Sequence, residues 1–335
     1  MTPNAHHFDV IIVGGGPAGL FAAYYLAEHS DKKVLLLEKG KDPRKRYCPI
    51  TAEQECLRCQ PCNILSGVGG AGLFSDGKLN FIHKLGKTDL TQFISKPKAQ
   101  RLIDETESIF NTFGMDGPVF PTDMDTAREI RKQARKDGIE LLLIKQKHLG
   151  SDCLPGHIAG MHDYVEQKGV RIHCNESVEE VLVDNNRIQG VRTSKGNYTA
   201  ESVILAPGRV GAEWMGKIAQ GLDIPLSQRG IEVGVRVEVH NEIMQDLTDV
   251  IYDPTFFIQT SKYDDQTRTF CTNKGGFVSL ENYQDFVCVN GHAYLDKKSE
   301  NTNFAFLSKV VLTEPVTDNQ AYGVSIGKLA SLIGG

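Results

Sequence analysis

The chain has 335 residues, of which 24% are charged, and a formal net charge of −5. That length suffices for a large core in two lobes, and there is no basic excess to recruit nucleic acid or an anionic membrane. The apolar runs are strand-sized and the N-terminus lacks a basic-then-apolar leader, so the expectation is a soluble, cytoplasmic protein with no transmembrane segment.

Four β-formers, Val10 to Val13, run straight into Gly14-x-Gly16-x-x-Gly19. A 3.6-period segment continues to about His29, and a second apolar strand, Val34 to Leu37, ends on Glu38. Strand, glycine turn, helix, strand and acid in this order form a dinucleotide-binding unit. Gly14 permits the tight turn, Gly16 lets backbone approach a pyrophosphate, and Gly19 lets the helix pack on the strand. The helix N-terminus offers free N–H groups to phosphates, and Glu38 would accept from a ribose hydroxyl.

A basic stretch, Lys39–Tyr47, leads to four of the eight cysteines: Cys48, Cys56, Cys59 and Cys62. Four thiolates at this spacing suit an iron–sulfur cluster or tetrahedral zinc, and a third reading is redox-active thiols without metal. Ser66 to Asn80 (SGVGGAGLFSDGKLN) is too rich in glycine for a helix or strand interior, and is expected to form a second wall of the cofactor site.

Helical periodicity follows from Lys96, again from Thr122 or Asp123 to Gly138, and from Pro155 to Lys168, with a strand at Ile139–Ile144. Val170 to Gly208 reads as a β-meander closing on the apolar strand VILAPG. From Gly211 onward short β patterns alternate, as in IEVGVRVEV (Ile231–Val239), and suggest a substrate lobe. His148, Cys271 and His292 are candidate proton donors or substrate contacts, and Arg236 and Lys274 candidate anion contacts. His157, His162 and His173 read as ordinary helix or strand residues.

VIIVGGGPAGL, the acid in LLLEKG and the later VILAPG together resemble FAD-binding proteins of the glutathione-reductase structural class. CxxCxPC after Cys48, GVGGAGLFSDGKLN, HLGSD at His148–Asp152, and TFCTNKGGFV with VNGH and NTNFAF further resemble uncharacterised bacterial FAD-dependent dehydrogenases. The resemblance implies an α/β fold: a Rossmann-like FAD-binding domain (parallel sheet plus β-meander) and a second, α+β substrate or cap domain. The expected boundaries are 1–82 with 165–212 and 318–335 for FAD, 83–164 for a helical insertion, and 213–317 for the cap. No second fingerprint marks an NAD(P) domain. The resemblance also implies a chain truncated at its C-terminus, before a closing strand and helix.

Carried over residue by residue, Gly14, Gly16, Pro17, Ala18 and Gly19 would face the FAD pyrophosphate. Glu38 would hold the adenosine ribose, Lys39 beside it is counted among the cofactor-binding residues, and Val178 would meet the adenine through its backbone. Gly70, Ala71, Ser75, Asp76, Gly77 and Lys78 would line the path to the flavin, with Ala206 and Gly208 passing close by. The implied activity is FAD-dependent hydride or electron transfer with a small-molecule substrate, for which carbon–carbon double-bond reduction is the first choice. The external partner would be NAD(P)H or a redox protein. The alternative is an electron-transfer or redox-sensing flavoprotein working through the cysteine cluster.

Overall fold

The computed structural model describes residues 6–48, 56–86, 88–227, 230–283, 285–313 and 318–334. The chain divides into two compact units: 1–73 with 155–227 and 281–285, and 74–154 with 228–280 and 286–335. No helix among the described residues is long and apolar enough to cross a membrane.

The first unit is built on a six-stranded sheet. Its strands are β1 (His6–Val13), β2 (Val34–Glu38), β3 (Arg171–Cys174), β4 (Val178–Asp184), β5 (Arg187–Thr193) and β6 (Gly196–Leu205). Across the sheet they lie in the order β4-β5-β6-β1-β2-β3. β6, β1, β2 and β3 are parallel, while β4, β5 and β6 form the antiparallel meander. Central parallel strands are buried on both faces, which is why β2 is apolar without alternation until Glu38. Phe8, Ile11, Val13, Leu35, Leu37 and Val191 form the core on one face. Helix α1 (Pro17–His29) begins at the glycine turn, α2 spans Leu154–Gln167, and α3 (Ala212–Gly221) lays Trp214 against that core.

The second unit carries a five-stranded antiparallel sheet in the order Ile231–His240, Asn301–Val310, Gln266–Asn273, Thr255–Gln259, Glu140–Leu142. Helices Lys96–Thr112, Met124–Lys136 and Asn319–Gly334 belong to it as well. The Asp123 carboxylate caps the second of these by accepting from the Asp125 N–H at 3.0 Å.

The division cuts the chain at other points than the expected boundaries. Residues 83–164 do not stand alone, because Glu140–Leu142 pairs with Thr255–Gln259 and Gln146–His148 pairs with Lys78–Asn80. Residues 213–227 join the first unit, since Trp214 packs on its core. The helix within 318–335 joins the second, where a Cβ on Gly323 would come within 3.0 Å of Ile231 Cδ1.

Candidate functional site

In the first unit β1 ends in a turn whose glycines have two different uses. Gly14 has φ +106°, and a Cβ there would lie 2.2 Å from the Ala206 carbonyl oxygen. A Cβ on Gly19 would lie 1.8 Å from the carbonyl oxygen of Gly14. The protein's own backbone demands these two. Gly16 has φ −71°, and a Cβ there would meet only Gly70 Cα, at 3.8 Å. Its missing side chain opens space instead of relieving a clash.

That space is part of a cleft of about 340 Å³, within the range of small-molecule sites. Gly14, Gly16, Pro17, Glu38, Lys39, Gly70, Ala71, Val178, Ala206 and Gly208 all line it. Ala18 and Gly19 do not. Gly19 is buried against the turn, while Ala18 is exposed in the first turn of α1. Gly16 caps α1 without a side-chain hydrogen bond, and the first turn carries no acid, so no side chain of the helix's own first turn meets its N-terminal amides or the positive end of its dipole.

Glu38 does not present its carboxylate in the way the sequence suggests. Oε2 accepts from the Gly15 N–H (2.7 Å), and Oε1 accepts from the N–H groups of Gly40 (2.7 Å) and Gly67 (2.9 Å). The residue is 6% exposed and ties the glycine turn, the segment after β2 and the glycine-rich loop together. Arg46 completes this scaffold. Its guanidinium is buried and donates to the carbonyls of Asn63, Ile64, Gly67 and Val68 at 2.8–3.2 Å. Burial pushes its pKa down to about 10, against the opposing charge of Glu38. Nothing in the pattern of the basic stretch distinguished Arg46 from its neighbours, because its partners are main-chain carbonyls.

Two polar groups at the cleft stay unengaged. Ser66 is 5% exposed and its Oγ has no partner among the described residues. Lys39 is half-buried; burial lowers its pKa, with the charge of Glu38 opposing. Trp214, which the sequence reading missed, lines the cleft and donates from its indole N–H to the Glu179 carbonyl at 3.0 Å.

Ser75, Asp76, Gly77 and Lys78 fall in the second unit instead and are engaged there. Lys78, its side chain 1% exposed, lies between Asp253 Oδ2 (2.6 Å) and Asp76 Oδ2 (2.9 Å), and donates also to the Thr272 carbonyl (3.0 Å). Burial alone would lower its pKa, but Asp253 and Asp76 outweigh it and hold the ammonium charged beyond the ordinary lysine range. A Cβ on Gly77 would collide with the backbone of Gly150 at 2.7 Å, and Ser75 Oγ takes a long hydrogen bond from Asn290 Nδ2 (3.4 Å).

The three catalytic candidates surround this ion triad. Cys271 sits at an interruption of the sheet register with φ +56°, and its thiol donates to Asp76 Oδ2 at 2.9 Å. Burial, then the charge of Asp76, push it up to about 12, so the thiol stays protonated. His148 is 5% exposed, stacks on Tyr252 with centroids 4.2 Å apart, and is pushed by burial down to about 4. His292 stacks on Tyr294 at 4.3 Å and is likewise lowered by burial to about 4. Both imidazoles are neutral at pH 7, and both feel Asp76 and Asp152. His148 Nε2, Tyr252 Oη, Thr272 Oγ1, Asn273 Oδ1 and Asn303 Nδ2 are buried with no partner among the described residues. Tyr252 was not singled out by sequence, since nothing local marks it. Of the anion candidates, Arg236 donates to Asn303 Oδ1 and to the Cys271 carbonyl, and Lys274 pairs with Asp249.

Residues 49–55 of the cysteine stretch lie outside the described residues. Among the described residues the groups with three possible metal-ligand atoms within 4.8 Å of one another are His7, Asp9, Glu201 and His162, Asp163, Glu166. Cys48, Cys56, Cys59 and Cys62 form no such group. Cys56 takes a hydrogen bond at Sγ from Asn282 Nδ2 at 3.6 Å.

A family model described as an NAD(P)-binding Rossmann-like domain matches residues 12–46, from the end of β1 to Arg46. No curated protein sequence matches the chain. Among solved structures, L-amino acid deaminase from Proteus myxofaciens is 16% identical over 71% of this chain and 53% of its own, with a TM-score of 0.40. NikD, an amino acid oxidase essential for nikkomycin biosynthesis, is 16% identical over 94% and 74%, with a TM-score of 0.46. Glycine oxidase from Bacillus cereus is 15% identical over 94% and 77%, with a TM-score of 0.43. The chain spans about half the length of the first of these.

Proposed function

We propose that the first unit binds FAD and that the protein is an FAD-dependent oxidoreductase acting on a small-molecule substrate. The observation that carries this reading is Gly16: the turn is built so that only this glycine leaves room for something other than protein. The meander supports FAD as the dinucleotide, because it brings Val178 to the cleft beside the β2 terminus, and β6 delivers Ala206 and Gly208 to the turn.

In this reading Gly14, Gly16, Pro17 and the amides opening α1 hold the pyrophosphate, with Gly70 and Ala71 across from them. Val178 and Trp214 wall the adenine. Bound there, the flavin supplies reversible hydride and electron exchange at N5. The chain's own polar contacts to a substrate are assigned to His148 and His292, which at a pKa of about 4 are neutral near pH 7 and act as hydrogen-bond partners and weak proton acceptors, not as acids. Cys271 supports Asp76 through its hydrogen bond, since a thiol pushed up to about 12 is a poor donor. The reaction assigned is reduction of a carbon–carbon double bond or the reverse oxidation.

The test is to purify the protein, measure flavin absorption and titrate the stripped protein with FAD. Reduced flavin is then mixed anaerobically with activated alkenes. Retained flavin that is reoxidised by an alkene supports the reading. Protein that takes up no FAD refutes it, and flavin that no alkene reoxidises removes the assigned reaction.

A further inference from the structure

We propose that Ser66 and Lys39, and not Glu38, make the polar contacts to the ribose of the bound dinucleotide; this rests on the reading of the cleft as a dinucleotide site. The end of β2 is where such a unit meets the ribose, ordinarily through the acid at its terminus. Here that acid faces inward. A carboxylate offers about four lone-pair positions. Glu38 gives three of them to the amides of Gly15, Gly40 and Gly67. Turning it toward a ribose would unpin three segments at once.

Ser66 and Lys39 stand where the acid would otherwise act. Ser66 immediately precedes Gly67, and the two chain segments touch: a Cβ on Gly40 would lie 2.6 Å from the Ser66 carbonyl carbon and 2.4 Å from the Gly67 nitrogen. Both residues line the cleft. The Ser66 hydroxyl is buried without a partner among the described residues, a state that native structures rarely leave unanswered. Lys39 makes no ion pair or hydrogen bond among the described residues, although half-buried. A vicinal diol answers both: one hydroxyl exchanges hydrogen bonds with Ser66 Oγ, and a sugar oxygen accepts from the ammonium. Glu38 is then a positioning residue, holding the turn and the loop that carry the contacts.

The experiment compares ADP with 2′-deoxy-ADP and 3′-deoxy-ADP by calorimetric titration, using the flavin-stripped full chain and its S66A, K39M and E38Q variants. Thermal unfolding is followed in parallel. Wild type is expected to bind ADP about tenfold tighter than at least one deoxy analogue. S66A is expected to weaken ADP about fivefold and K39M about tenfold, each shrinking the gap between ADP and that analogue. E38Q is expected to lower the unfolding temperature and weaken all three ligands alike, leaving the gap intact. The proposal is overturned if S66A and K39M keep the full gap, or if E38Q abolishes it with unfolding unchanged. Wild type that binds neither ADP nor FAD overturns the dinucleotide reading itself, and this proposal with it.

Discussion

The two units treat buried polar groups in opposite ways. In the first, the charged side chains Glu38 and Arg46 are engaged by backbone, and they frame a cleft in which the Ser66 hydroxyl has no partner among the described residues. In the second, the charges engage each other: Lys78 is clamped by Asp76 and Asp253, with the Cys271 thiol closing the set. Backbone engagement leaves a site whose shape survives changes of its lining. Mutual engagement leaves a core that fails when one partner is removed.

The largest expected effect tests the second half of that contrast. Lys78→Met would strand two carboxylates in the interior, and unfolding free energy should fall by about 4 kcal/mol in denaturant titration. Adding Asp253→Asn should recover part of the loss. Equal stability of Lys78→Met and wild type would mean the triad is not the anchor of the second unit.

Acid should reveal the next effect. The pKa of His148 falls from an ordinary 6.5 to about 4 in the folded state, so between these values the unfolded chain binds the extra proton. Stability is therefore flat above about pH 7 and declines as pH drops from 6.5 toward 4, by about 3 kcal/mol for this residue. In a His148→Phe variant, which keeps an aromatic ring against Tyr252, the decline should be shallower by the share of one proton. An unchanged slope would place the proton elsewhere.

Arg46→Lys should cost about 2 kcal/mol, because an ammonium cannot reproduce the fork that reaches four carbonyls. FAD affinity should fall with it, as the glycine loop loosens. Loss of stability with full affinity would separate the scaffold from the cleft. The smallest effect is at Cys271: native protein should resist thiol alkylation there, read by peptide mapping, while half-buried cysteines such as Cys59 react.

How much of this was legible in the sequence depends on the range of the interactions. The βαβ unit was readable because Gly19, held against the Gly14 carbonyl, and the apolar β2 act within the same local unit, and the helix cap at Asp123 was readable for the same reason; that Gly14 also answers to the distant Ala206 carbonyl was not. The hydrogen bonds of Glu38 were not legible because one of their donors, Gly67, is 29 residues away. Lys78 was expected near a cofactor; its partner Asp253 is 175 residues away, beyond any motif. Tyr252 and Trp214 carry no local signature and emerged only from packing. The cysteine spacing permitted a ligand set, but spacing leaves open where the sulfurs point. The domain boundaries shifted for a related reason, since strand pairing across the chain decides them.

The central claim is that Gly16 is kept for a ligand while Gly14 is kept for the fold, and one paired measurement tests it. Gly16→Ala, Gly14→Ala and wild type are compared by thermal unfolding and by FAD titration of the stripped protein. The account predicts that Gly16→Ala unfolds within a degree or two of wild type, on the order of 0.5–1 kcal/mol, yet loses at least about tenfold in FAD affinity (roughly 1.4 kcal/mol). Gly14→Ala is expected to be strongly destabilised or not to fold. Gly16→Ala that binds FAD as tightly as wild type would contradict the account.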